Sequence, residues 1–187
     1  MSEWVAFLRA INVAGHATVG MDRLREAFER AGCRRVRTVI QSGNVIFEAQ
    51  DASATALFKR IQLKARDLLG TEAVIVIRRA DDIRRLVRSN PFRDRPEQAD
   101  EKRYVCFLSD GPITHPGLPL VSEKEALEVI GAAPLEAFVV SRRKQGKPLY
   151  GFPNSFVEQQ FGVQATTRNW STVRRISDLL SGESGQG

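Results

Sequence analysis

Residues 36–49 read Val36-Arg37-Thr38-Val39-Ile40-Gln41-Ser42-Gly43-Asn44-Val45-Ile46-Phe47-Glu48-Ala49, and their alternation decides how the rest of the chain is arranged. Val36, Thr38, Ile40 and Ser42 alternate with Arg37, Val39 and Gln41, and Val45, Phe47 and Ala49 alternate with Ile46 and Glu48. A period of two on both sides of Gly43-Asn44 predicts a β-hairpin. Gly-Asn as the central pair suits a type II′ turn, because glycine takes the positive φ of the first central position. That pairing sets Ile40 opposite Phe47 on the core face. It also gathers Gln41, Ser42 and Asn44, three hydrogen-bonding side chains, around the tip.

The flanks of the hairpin extend the pattern. Trp4 to Arg9 is a strand apolar on both faces, followed by a loop, Ala10 to Gly20. Met21, Leu24, Ala27, Phe28 and Ala31 recur at helical spacing and stop at Gly32. After the hairpin, Ala54, Leu57, Phe58, Ile61, Ala65, Leu68 and Leu69 mark an amphipathic helix, and Ala73 to Ile77 is a buried strand. Strand, helix, strand, strand, helix, strand is the split βαβ, or ferredoxin-like, order. Residues 1–79 therefore form a first subdomain, and 80–102 a connecting helix and loop.

The pattern then restarts in residues 103–187. Arg103 to Leu108 is a strand, and Ser122-Glu123-Lys124-Glu125 reads as a capping box that opens a helix through Ile130 to Gly131. Leu135 to Val140 is a strand, Arg142 to Lys147 a basic turn, and Pro148 to Phe152 its partner strand. Ser155 to Phe161 is helical, Val163 to Thr167 a last strand, and Asn169 caps a terminal helix carrying Trp170, Val173, Ile176, Leu179 and Leu180. A Gly- and Ser-rich tail ends the chain. The fold class is α+β: two ferredoxin-like subdomains packed together, with an extra C-terminal helix. Trp4, Ala6 and Leu8 back onto Val5 and Phe7, as Tyr104, Cys106 and Leu108 back onto Val105 and Phe107. A sheet apolar on both faces needs a second layer, from the other half or from another subunit, which argues against an open RNA-binding sheet.

Composition narrows the function. The 187 residues are 42% apolar, enough for a core without disulfides. Cys33 and Cys106 have no Cys-x-x-Cys spacing or neighbouring histidine and read as buried, reduced thiols. No signal peptide or membrane-length apolar run is present, so a cytoplasmic protein without a membrane partner is expected. Lys and Arg outnumber Asp and Glu by 28 to 22, with a pI near 9.8. This permits nucleic acid as a partner without favouring it, because the basic residues are scattered among acids. His16 and His115 lack metal-ligand spacing, so neither metal nor cofactor is expected. The chain has no Walker loop, Gly-x-Gly-x-x-Gly, Gly-x-Ser-x-Gly or His-Glu-x-x-His motif, and no catalytic residue is assigned.

A crossover helix returns the chain so that the exit of the first strand and the hairpin tip share one edge. Arg9, Asn12 and His16 then meet Gln41, Ser42 and Asn44, and Ser109 and Asp110 would similarly approach the turn Arg142 to Lys147. A guanidinium, amides and a hydroxyl ahead of a helix suit a small anionic or phosphorylated ligand. The bland reading is that Asn12, Ser42 and Asn44 satisfy loop backbone groups.

Four blocks carry a resemblance: Leu8-Arg9-Ala10-Ile11-Asn12-Val13, Ile40-Gln41-Ser42-Gly43-Asn44-Val45-Ile46-Phe47, Asn90-Pro91-Phe92, and Ala165-Thr166-Thr167-Arg168-Asn169-Trp170-Ser171-Thr172-Val173. They resemble the signature blocks of a bacterial family, domain of unknown function 1697. The resemblance implies an α+β fold of two similar subdomains and no activity. Ala10 and Ala14 stand where that family usually has glycine. The last block adds Arg168 to the candidate ligand-binding residues Arg9, Asn12, Gln41, Ser42 and Asn44, with Asn169 and Trp170 accounted for as cap and core anchor. Two alternatives stay open. One is a nucleic-acid-binding accessory protein. The other is an acylphosphatase-like phosphohydrolase, by analogy of fold with Arg9 and Asn44, although the glycine-rich loop of acylphosphatases is not reproduced. Monomer and homodimer are both compatible with the sequence.

Overall fold

In this computed structural model, residues 1–9, 20–39, 43–50, 53–69, 74–111, 117–143 and 150–182 are described. Trp4 to Leu8 are all buried, which fixes β1 (Ser2–Leu8) as an inner strand. β1 pairs antiparallel with β3 (Asn44–Ala49) on one side and β4 (Ile75–Arg79) on the other, and β2 (Arg34–Val39) completes the sheet beyond β3, in the order β2-β3-β1-β4. With α1 (Met21–Arg30) and α2 (Ala54–Leu69) as crossovers, this is the split βαβ topology. One face of the sheet meets the helices: Trp4, Ala6, Leu8, Val45, Phe47 and Ile77 pack with Leu24, Phe28, Leu57 and Ile61. Phe28 and Phe47 make an edge-to-face contact at 5.2 Å between centroids, a favoured arrangement of two ring quadrupoles. Val5, Phe7, Ile46 and Val76, on the opposite face, are buried as well.

The chain divides at Ile83, inside α3 (Ala80–Ser89), into units Met1–Ile83 and Arg84–Gly187. The second unit has β5 (Glu101–Leu108), β6 (Leu120–Ser122), β7 (Leu127–Ala133), β8 (Glu136–Arg142), α4 (Asn154–Phe161), β9 (Ala165–Asn169) and α5 (Trp170–Ser181), with strand order β6-β7-β8-β5-β9. Without β6 this is the strand order of the first sheet. Tyr104, Cys106, Leu127, Val129, Ala137 and Val139 pack with Val157 and Phe161 of α4.

Several local expectations are corrected. Val39 pairs with Asn44, so the hairpin connection is residues 40–43 and Gly43-Asn44 is not its central pair. Gly43 keeps its left-handed conformation, φ 73°, at the end of a four-residue loop, and Asn44 is drawn into β3. The same register sets Phe47 opposite the segment between Arg34 and Arg37, so the expected pairing of Ile40 with Phe47 is not formed.

The helix expected from Ser122 to Gly131 is a β-hairpin, β6 to β7. Ser122 Oγ does accept the amide of Glu125 at 3.3 Å, as a capping box requires, but Ala126 at φ 53° ends the turn after one cycle. Leu127 and Val129 then alternate against β8.

Of the expected strand Pro148 to Phe152, Tyr150 forms a single bridge with Arg143; residues 148 and 149, with 144–147 of the basic turn, lie outside the described residues. Arg142 and Arg143, the described residues of that turn, do not lie beside Ser109 and Asp110. Arg142 pairs with Glu101, at the other end of β5, because β8 enters from the β7 hairpin rather than from a helix. Asn169 occupies the N-cap of α5 without a side-chain capping bond.

Candidate functional site

Backbone hydrogen bonds build a rim at the exit of β1. Leu8 donates to the carbonyl of Gly43 at 2.8 Å, and Arg9 donates to the carbonyl of Val74 at 2.9 Å. The end of β1, the start of β3 and the entry to β4 are thereby held together, and Arg9, half-buried, stands among them. The alternation through Val5 and Phe7 puts Arg9 on the sheet face that Asn44 shares with Phe7. Asn44 is buried, and its Nδ2 donates to the carbonyl of Val39 at 3.2 Å. Part of its amide therefore closes the hairpin, as the bland reading of this residue has it. Asn12, Gln41 and Ser42, like His16, lie outside the described residues.

Arg168 belongs to the second unit and sits in surroundings of its own on β9. Its Nη1 donates to Thr166 Oγ1 at 2.9 Å and to the carbonyl of Thr167 at 2.8 Å. Burial lowers its pKa to about 10, since a low-dielectric setting disfavours the charged form. It stays protonated at neutral pH.

The two units repeat one another in register, and the repeat singles out the first rim. Val5 pairs with Ile46 and Arg78, and Val105 with Phe138 and Arg168. The buried guanidinium of Arg78 donates to the carbonyl of its preceding residue, Ile77, at 3.0 Å, as Arg168 does to Thr167. Leu108 donates to the carbonyl of Leu135 at 2.9 Å and Ser109 to that of Gln164 at 2.8 Å, matching Leu8 and Arg9. Ser109 thus stands where the first unit has Arg9, and Glu136 where it has Asn44. At this second rim Asp110 Oδ1 accepts the amide of Gly111 at 2.8 Å. A Cβ on Gly111 would lie 2.1 Å from the carbonyl oxygen of Pro134, so backbone packs directly on backbone. One rim presents a guanidinium and an amide; the other presents carboxylates.

Sequence reasoning did not foresee a buried polar row in the second unit. Thr167 Oγ1 donates to Asn154 Oδ1, which spends its one hydrogen, so the Cys106 thiol, 3.1 Å from that oxygen, is the donor to it. Thr-Thr-x-Asn in a strand gives no hint that α4 supplies the acceptor. A second network links Arg95, Glu101, Glu128 and Arg142 through N to O distances of 3.0–3.3 Å. Among the described residues no group of three or more His, Cys, Asp and Glu side chains is placed to hold a metal ion, and no helix is long and apolar enough to cross a membrane.

The family model described as a protein of unknown function, DUF1697, matches residues 1–135. Among solved structures, the conserved bacterial protein SP0830 from Streptococcus pneumoniae is similar, with a TM-score of 0.64 and 18% sequence identity over 96% of this chain and 98% of that one. At that identity the likeness shows the fold. No curated protein matches.

Proposed function

The chain belongs to the DUF1697 family, and from that premise we propose that it is a cytoplasmic protein that binds a small anionic or phosphorylated ligand at the rim of its first unit. The family's description carries no activity, so the chemistry of the rim carries the reading. Its main support is the difference between two equivalent positions, Arg9 in the first unit and Ser109 in the second, with Glu136 in the place of Asn44. An anion is attracted by the first set and repelled by the second. In the sequence, Asn12, Gln41 and Ser42 belong to the segments that follow Arg9 and precede Gly43, and complete the proposed set. Reduced, buried cysteines support the cytoplasmic assignment.

Thermal shifts with a panel of phosphate, sugar phosphates and short carboxylates test the reading. A ligand at a hundred times its Kd stabilises by about 2.7 kcal/mol. Arg9→Ala should lose that shift and Ser109→Ala should keep it. An equal shift in Arg9→Ala removes the rim from the proposal.

A further inference from the structure

At the opposite end of β1 from Arg9, the end of α1, the first residue of β2 and α2 enclose an open cleft of about 480 Å³, with Arg30, Gly32, Arg34, Gln50 and Arg60 in its wall. Among the described residues no carboxylate lines it. Arg30 shares its charge with Glu26, 2.6 Å away, while among the described residues neither Arg34 nor Arg60 has an ion-pair partner.

Capping the C-terminus of α1 does not account for three guanidiniums here. The amides of Ala31, Gly32 and Cys33 already donate to carbonyls of Ala27, Phe28 and Glu29. The helix end contributes roughly half a negative charge, against three positive ones. Gly32, at φ 81° with nothing within 4 Å of a built Cβ, keeps the floor of the cleft clear. Among the described residues no aromatic side chain lines the wall, so a nucleobase finds no stacking surface there.

We propose that this cleft is a second anion site, independent of the rim, that takes the di- or triphosphate group of a small molecule. Guanidiniums on three separate elements can each engage a phosphate oxygen pair, and a chain of phosphates spans them where a single phosphate cannot. The cleft also lies within the usual size of small-ligand sites, about 300–1,000 Å³.

Calorimetric titration of the full chain with inorganic pyrophosphate, inorganic triphosphate, inorganic phosphate and a single-stranded oligonucleotide tests this. The expected result is that triphosphate binds most tightly, that Arg34→Gln/Arg60→Gln weakens it by about tenfold or more, and that Arg9→Ala leaves it unchanged. Both substituted side chains are exposed, and an unaltered melting temperature verifies that the fold is kept. Equal affinity in the double variant overturns the proposal. So does phosphate binding as tightly as triphosphate, or an oligonucleotide binding more tightly and depending on the same two arginines, which would make the cleft part of a nucleic-acid surface. Loss of binding in Arg9→Ala alone would assign the polyphosphate to the rim instead.

Discussion

Leu8 donates its amide hydrogen to the carbonyl of Gly43 at 2.8 Å, and that bond ties the exit of β1 to the hairpin. It depends on the left-handed backbone of Gly43, φ 73°, where an L side chain costs about 1–2 kcal/mol. Gly43→Ala should therefore lower the melting temperature by roughly 2–8 °C, and Gly43→Asn by less, because asparagine tolerates this region better. A Gly43→Ala protein as stable as the parent would show that the rim does not need this conformation.

The row Cys106, Thr167, Asn154 makes a second prediction. Thr167→Val keeps the shape but leaves Asn154 Oδ1 without its donor and the Cys106 thiol without its acceptor. An orphaned buried polar group costs about 1–3 kcal/mol. In urea denaturation, Thr167→Val and Asn154→Ala should each destabilise, and the double variant should fall short of their sum by about 1 kcal/mol, as expected for directly bonded partners. Strict additivity would mean that the bond contributes nothing.

Both thiols should be silent in the folded protein. Burial pushes Cys33 up to about 11, partly offset by the charge of Arg60, and burial pushes Cys106 up to about 12 despite its bond to Thr167. At pH 8 a disulfide reagent should react with neither thiol natively and with both in urea, because the thiolate is the reactive form. Linkage fixes the sign of the pH effect. The folded pKa values exceed the ordinary value of 9.0, so the thiols' contribution is whole below pH 9 and is lost as pH rises through about 11 and 12. The stability of Cys33→Ala/Cys106→Ala should decline less over that range; an identical decline would place its cause elsewhere.

The first unit was legible in the sequence because its inner strands are apolar on both faces and its helices carry one apolar stripe, so periodicity alone separates them. The order β2-β3-β1-β4 then follows from the crossover rule, which is why Arg9 could be placed at the exit of β1. Asn44 was harder. Loop length sets hairpin register, and lengthening the loop from two residues to four moved Asn44 from the tip into the sheet. The convergence of Arg30, Arg34 and Arg60 was not legible, because it depends on how α2 packs beside the turn from α1 to β2. In the second unit the repeated apolar strand Tyr104 to Leu108 is clear from its pattern, whereas residues 122–131 fit a helix as well as the hairpin they form. A Ser-x-x-Glu turn followed by Leu-x-Val satisfies both a helix start and a strand start, and the pairing of β7 with β8 decides between them.

That choice is itself testable at two positions. Ala126 holds φ 53°, so Ala126→Gly should stabilise the hairpin, by about 1 kcal/mol, where a helix would be weakened by a similar amount. The melting temperature therefore moves in opposite directions for the two structures. Gly151 packs against this same turn: a Cβ there would lie 2.0 Å from the carbonyl oxygen of Glu125 and 3.1 Å from Leu127 Cγ. Backbone cannot yield as a flexible side chain does, so Gly151→Ala should destabilise by more than about 2 kcal/mol. Ser141 Oγ also donates to the Gly151 carbonyl at 2.9 Å from a fully buried position. Ser141→Ala should thus reproduce part of the loss without any steric clash. If Gly151→Ala is tolerated and Ala126→Gly destabilises, the segment is helical and the second sheet ends at β8.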